Sequence, residues 1–153
     1  MITIQALNPE IVRRYRDEIA QFYFENLRDC YLLEDFSSEE SLQKISEFIT
    51  HLENDRAIGY GLFSEDEICG FVWAYPYQYR GENRMYINEI RIRDDCRGKG
   101  YGKDLLACVE KQAKERGFGT LFLHAEADNP VAVNLYQSCG FVKERIQFRK
   151  DIP

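Results

Sequence analysis

Residues 57–93 hold three strand-forming runs in close succession: AIGYGLFS, EICGFVWAYPYQY and RMYINEIRIR. They are rich in β-branched and aromatic residues, which favour a pleated, half-buried surface. Only SEDE (64–67) and RGEN (80–83) mark the turns between them. Strands joined so tightly must fold back on one another, so the spacing predicts an antiparallel meander. A crossover to a parallel neighbour would need a dozen or more residues.

Helical patterns flank the meander. Ile2–Ala6 is a short strand candidate, and Asn8-Pro9 follows as an N-cap with proline at the first helical position. Ile11, Tyr15, Ile19 and Phe22 recur at helical spacing, which predicts a helix from Pro9 to about Leu27. RDCYLLEDF (28–36) reads as a loop or a short helix. Ser37 with Glu40 forms a capping box before the stripe Leu42, Ile45, Ile49 and Leu52. After the meander, Tyr101, Leu105, Cys108, Val109 and Ala113 line a helix from about Gly100 to Arg116, stopped by Gly117. TLFLHA (120–125) is a strand. Asn129-Pro130 opens a helix that ends at Gly140, and KERIQFRKD closes the chain as a last strand. The order β-α-α-β-β-β-α-β-α-β describes a single α/β domain over residues 1–153. Its mixed, mostly antiparallel sheet carries helices on both faces.

Composition removes several classes of function. The net charge of -6 argues against nucleic acid as a partner, since phosphate backbones need a basic face. Five cysteines without a CxxC pair predict reduced thiols and a cytoplasmic setting. Two histidines give little material for a zinc site, so no metal is expected. The opening MITIQALNPE lacks a signal pattern, and no apolar run reaches membrane-spanning length.

The segment CRGKGYGKDLL (96–106) raises the question of a ligand. It lies where a strand passes into a helix. Backbone N–H groups at a helix start lack intrahelical partners, and the helix dipole favours negative charge there. Glycines let a phosphate approach the main chain. A nucleotide P-loop needs GxxxxGK[ST]; here Arg97 and Asp104 stand at the deciding positions. A dinucleotide loop needs GxGxxG, and the third position is Lys103 or Leu105. A ligand-free glycine turn is the alternative to a phosphate site.

Arg97-x-x-Gly100-x-Gly102, with the preceding EIRIRDD, resembles the coenzyme A pyrophosphate loop of the GNAT superfamily of acyl-CoA-dependent N-acetyltransferases. NPVAVNLYQSCGF (129–141) is similar to the same family's N-x-x-A-x-x-L-Y-x-x-x-G-F segment. The resemblance implies a GNAT-like fold, acetyl-CoA as cosubstrate and transfer of its acetyl group to a primary amine by direct attack. It also implies main-chain contacts to the pyrophosphate from Arg97, Gly98, Lys99, Gly100, Tyr101 and Gly102, with Lys103 beside them. Ile90, Arg91 and Ile92 would pair their backbone with the pantetheine amides. The family often has two strands after the Gly-Phe pair; about a dozen residues remain here. Dimerisation is common in the family, and an exposed terminal strand is one route to a homodimer.

Acetylation of an amine makes chemical demands. An alkyl ammonium with pKa near ~10.4 must lose a proton before it attacks, at a cost of roughly 4–5 kcal/mol at pH 7. A carboxylate can accept that proton. The developing oxyanion needs a donor such as a backbone N–H. By resemblance, Glu89 is the candidate base, on the strand feeding the loop. Its alternative reading is a surface carboxylate or a partner for Arg91. Strand alternation places Asn88 and Glu89 on opposite faces. Glu126 is the reserve base. The resemblance makes Tyr136 the candidate acid for the leaving thiolate, and gives Asn129 a cofactor contact beside its capping role. Cys96, Cys139 and His124 read as structural.

For the acceptor, Trp73, Tyr75, Tyr77 and Tyr79 share one strand face. They form either core packing or an aromatic wall for a cationic amine. Tyr31, Glu34 and Asp35 lie in a region that binds acceptors in the family, and with Glu82 could attract a cation. The different-class alternative is a non-catalytic acyl-CoA-binding module acting through a protein partner.

Overall fold

The computed structural model describes residues 1–31 and 38–153. The predicted acceptor residues Glu34 and Asp35, and the cap Ser37, lie outside the described residues, as does the Tyr31 side chain. Two tight reversals shape the sheet. Glu65-Asp66 joins β2 (Ile58–Ser64) to β3 (Glu67–Tyr79), and Arg80-Gly81 joins β3 to β4 (Glu82–Ile92). Arg80 and Gly81 both have positive φ, 50° and 83°, as two-residue hairpins with the right twist require. β1 (Ile2–Ala6) lies antiparallel to β2, and β5 (Leu121–Phe122) lies parallel to β4. The sheet order is β1-β2-β3-β4-β5. Pro76 sits in β3 beyond Ala74, where β2 has ended, so its missing N–H disturbs no ladder on that side.

Alternation along β3 divides the core in two. Phe71 and Trp73 face α1 (Pro9–Arg14), α2 (Arg16–Tyr31) and α3 (Ser38–Glu53) in a cluster with Val12, Ile19 and Phe48. Val72 and Ala74 face α4 (Tyr101–Glu115) in a cluster with Leu105 and Val109. The predicted α/β architecture with helices on both faces is therefore present.

Three boundaries differ from the sequence expectation. The first helix is two, divided at Tyr15, whose φ and ψ of -103° and 27° leave the helical range. Tyr15 donates its hydroxyl to the Asp66 carbonyl at 3.0 Å and packs edge-on against Phe63, so the break joins the helices to the β2–β3 turn. The second half runs to Tyr31, past the expected end at Leu27. The strand expected over 120–125 is reduced to Leu121–Phe122, and the terminal strand does not form among the described residues. With two residues in β5, the segment after Phe141 has almost no strand edge to extend. It is tied down by side chains instead: Arg84 Nη1 donates to both carboxylate oxygens of Glu144 at 2.9 Å, and Arg145 lies 5.6 Å from the Tyr79 ring.

Candidate active site

β4 carries a bulge where the chemistry is expected. Trp73 pairs with Glu89 but Ala74 pairs with Ile87, so Asn88 is an extra residue. The bulge overturns the expected alternation. Glu89 reaches Asn26 on α2, while the Asn88 side chain meets the Tyr75 hydroxyl, and Tyr75 packs against the same helix-covered cluster. Both residues therefore have partners on one face.

Glu89 is partly buried and accepts a hydrogen bond from Asn26 Nδ2. Burial pushes its carboxyl up to about 7, opposed by the Asn26 bond and by the charges of Lys44 and Arg91. A carboxyl that titrates near neutrality can both take and release a proton at working pH. The neighbouring Tyr23 hydroxyl, which accepts from Trp73 Nε1, is raised well above its ordinary value by burial and by the Glu89 charge.

The other edge of β4 is open from Ile87 onward, because β5 pairs only with Met85 and Tyr86. The Arg91 carbonyl lies against β3, where a Cβ on Gly70 would come within 2.8 Å of it. That leaves the Ile90 and Ile92 carbonyls on the open edge. They accept from Asn26 Nδ2 at 3.0 Å and from Arg97 Nε at 2.9 Å. Arg97 also pairs with Asp94 at 3.3 Å, so its guanidinium is turned back onto the strand end.

The loop after β4 passes through a short 3₁₀ turn, Asp94–Cys96, into α4. Gly98 and Gly100 have φ of 75° and 87°, and no atom lies within 4 Å of where a Cβ would stand. Their requirement is the backbone conformation, and the space beside them is open. Gly100 is the N-cap of α4 with no side-chain cap bond, and the first helical bond runs from Asp104 N to the Gly100 carbonyl. The N–H groups of Tyr101, Gly102 and Lys103 thus precede the helical ladder. Lys99 and Lys103 are exposed beside them. N–H groups ahead of the ladder, beside two lysines, suit an anion.

α5 (Pro130–Ser138) borders the opening. Asn129 accepts from Ala132 N at 3.2 Å, the predicted cap. The Gly-Phe pair has a structural reason. Gly140, φ 91°, donates to the Gln137 carbonyl, and Phe141 N donates to the Tyr136 carbonyl, which is a Schellman termination. Its accompanying apolar contact is Tyr136 against Phe141, with ring centroids 6.0 Å apart. Tyr136 also lines a cleft of about 2020 Å³ between α4, β5, α5 and the C-terminal segment, together with Tyr86, His124 and Glu126.

Trp73 is 1% exposed and stacked on Phe48, so this ring of the aromatic face is core. The face rises outward from there. Tyr75 stacks on Trp73 and on His51, Tyr86 meets Tyr75 edge-on, and Tyr77 is 46% exposed. Tyr86 hydroxyl and His124 Nδ1 lie 3.2 Å apart. Sequence reasoning missed Asn26, Tyr23 and His51. Each sits on a helix at a position where ordinary amphipathic packing explains the residue type, so nothing in the sequence marks them. Among the described residues no group of His, Cys, Asp and Glu could hold a metal, and no helix is long and apolar enough to cross a membrane.

Comparison with known proteins agrees with this geometry. Residues 15–141 match the model of the acetyltransferase (GNAT) family. An uncharacterized N-acetyltransferase of Bacillus subtilis, YycN, is 29% identical over 89 residues, covering 58% of this chain and 57% of that protein. The chain spans little more than half the length of the curated relatives it matches, and only about a quarter of the longer ones. The fold is shared with a predicted acetyltransferase from Clostridium acetobutylicum solved with acetyl-CoA, at TM-score 0.80 and 15% identity, covering 99% of this chain and 96% of that one. It is also shared with an aminoglycoside acetyltransferase from an uncultured soil metagenomic sample, solved with sisomicin, at TM-score 0.72 and 17% identity, covering 99% and 97%. A family match across so much of the chain, over the same β4, glycine loop and α5 that build the site, makes this protein a member of the acetyltransferase (GNAT) family.

Proposed function

We propose that the protein transfers the acetyl group of acetyl-CoA to a primary amine of a small molecule or peptide by direct attack. The observation that carries this reading is the junction of β4 with α4: a strand edge open from Ile87, leading into glycines with positive φ and the uncapped N-terminus of a helix. Acetyl-CoA supplies an activated acyl group on a thiol that leaves readily. Backbone N–H groups from Arg97 to Lys103 bind its pyrophosphate, and Asn129 lies at the start of the bordering helix. Ile90 and Ile92, with Arg91 between them, present the strand edge to the pantetheine arm, after the Arg97 side chain leaves the Ile92 carbonyl and while Asn26 keeps one lone pair of the Ile90 carbonyl.

Glu89 accepts the proton of the acceptor ammonium. Its raised proton affinity narrows the gap between ammonium and base. Tyr136, in the cleft beside β5, delivers a proton to the departing thiolate. The acceptor lies along Tyr75, Tyr77 and Tyr86, whose faces attract a cation. The acidic chain and the sisomicin complex of its structural neighbour support a cationic acceptor.

Thermal unfolding with acetyl-CoA, coenzyme A and ATP in parallel tests the binding step. A ligand at 100 times its dissociation constant adds about 2.7 kcal/mol, which raises Tm by roughly 5–10 °C. The rise is expected with both coenzymes and not with ATP. Release of free thiol from acetyl-CoA, followed across aminoglycosides, polyamines and basic peptides, then tests transfer. No rise with acetyl-CoA removes the enzyme reading; preference for neutral or acidic amines removes the cationic acceptor.

A further inference from the structure

The Asn26 side chain uses both donors and an acceptor at once. Its Nδ2 donates to Glu89 Oε1 and to the Ile90 carbonyl, and its Oδ1 accepts from Arg91 Nη1 at 3.0 Å. The orientation of the amide is fixed by this chemistry. Flipped, its oxygen would face a carboxylate and a carbonyl, and its NH₂ would face a guanidinium. Arg91 is itself held. It is 4% exposed, and its Nη2 reaches Asp29 at 3.0 Å and Glu25 and Asp94 at 3.5 Å. A chain of polar contacts therefore runs from carboxylates on α2 through Arg91 and Asn26 to Glu89. Each contact polarises the next, which strengthens the last N–H donor.

We infer that Asn26 is the positioning residue of the site: by occupying Glu89 Oε1 it leaves Oε2 as the oxygen that takes the amine proton. The inference rests on the reading of Glu89 as the base. Asn26 Nδ2 can only donate, so Oε1 must remain an acceptor in both states of Glu89. The proton lost by the acceptor nitrogen is therefore lodged on Oε2, which has no partner among the described residues, and passes from there to solvent. Fixing one oxygen also fixes the plane of the carboxylate, so Oε2 is aimed by a residue that never touches the amine. The same bond holds the ionised form of Glu89 within reach of neutral pH against its burial.

The test follows Glu89 directly and needs no acceptor. Protein labelled with ¹³C at the glutamate carboxyls is titrated by NMR, and the Glu89 signal is assigned by its loss in Glu89→Gln. The groups facing this carboxyl are Lys44 of α3, Arg91 of β4 and Tyr23 of α2; Glu25, Asp29, Asp94 and Glu47 stand behind them, and all are retained in the variants. Asn26→Ala is expected to raise the Glu89 midpoint by roughly 1 pH unit. Asn26→Asp keeps the volume and a partner for Arg91, and is expected to raise it further by adding a like charge. It keeps the test alive should Asn26→Ala fail to fold. A midpoint unmoved in a folded variant overturns the inference and leaves the base reading standing. Full turnover by Glu89→Gln, with whichever amine releases thiol in the screen, overturns the base reading, and the role of Asn26 falls with it.

Discussion

The two ends of the sheet are built by different rules. At the β1–β3 end every strand has a full-length neighbour, and Val12, Ile19, Phe48, Phe71 and Trp73 are closed off from water beneath three helices. At the β4–β5 end the ladder lasts two residues, α5 has no fully buried side chain, and Val142, Ile146, Phe148 and Ile152 are exposed. A closed end supplies stability, and an open end supplies a cleft and a free strand edge. Glu89 and the glycine loop sit at the border, where the bulge at Asn88 turns side chains out of the regular pleat.

The contrast is broken most directly at Trp73. Its ring is stacked between Phe48 and Tyr75, and its Nε1 donates to the buried Tyr23 hydroxyl. Trp73→Ala is expected to cost about 3–5 kcal/mol, from lost burial and the cavity left behind. For a domain of this size Tm falls by roughly 6–20 °C. A loss under about 1 kcal/mol in urea unfolding would mean that this end is no more closed than the other.

Glu89 sharpens the comparison, because it places a cost of function at the border of the stable region. Its proton affinity is higher in the fold than in the unfolded chain, about 7 against 4.5. The folded state therefore loses stability as pH rises from about 4.5 through about 7, and the loss is complete above that. Glu89→Gln removes the ionisation, so the variant is expected to be more stable than the parent by about 3 kcal/mol above pH 7, with no gain from this source below pH 4.5. Urea unfolding at pH 5 and pH 8.5 checks it. A gain that does not grow with pH would mean that water or a neighbour satisfies the carboxylate. Lost turnover accompanying the gain would identify the group as one that trades stability for chemistry.

Features that rest on local rules were legible and those that rest on distant contacts were not, for physical reasons. The meander, the glycine loop and the caps at Asn8, Asn129, Gly117 and Gly140 rest on local rules: turn length, positive φ and N-cap chemistry. Such rules act over a few residues and survive folding. The bulge at Asn88 and the helix break at Tyr15 arise from contacts distant in sequence, Tyr75 and Asp66 respectively, and a pattern of alternation cannot contain them. Asn26 is the strongest case. Its partners lie more than 60 positions away, so a polar residue in the middle of α2 looks like surface. The terminal strand failed for the opposite reason. The pattern of KERIQFRKD suits a strand, but a strand needs a neighbour, and the two residues of β5 do not provide one.

The smallest expected effect belongs to that last segment. Phe148 is 89% exposed and Ile146 is 67% exposed, so replacing both by serine removes almost no buried surface. Urea unfolding of the double variant is expected to match the parent within about 0.5 kcal/mol. The Arg84 pair with Glu144 is left intact, so the segment keeps its tie to β4. A loss of 2 kcal/mol or more, at roughly 2 kcal/mol per buried large side chain, would mean that these residues are covered in solution. If the loss shrank on dilution, the cover would come from a second copy that dissociates from the parent; if it did not change, the segment would be packed on its own sheet. Either result would close the end of the molecule that the structure leaves open, and would move the C-terminal segment from a loose border of the cleft to one of its walls.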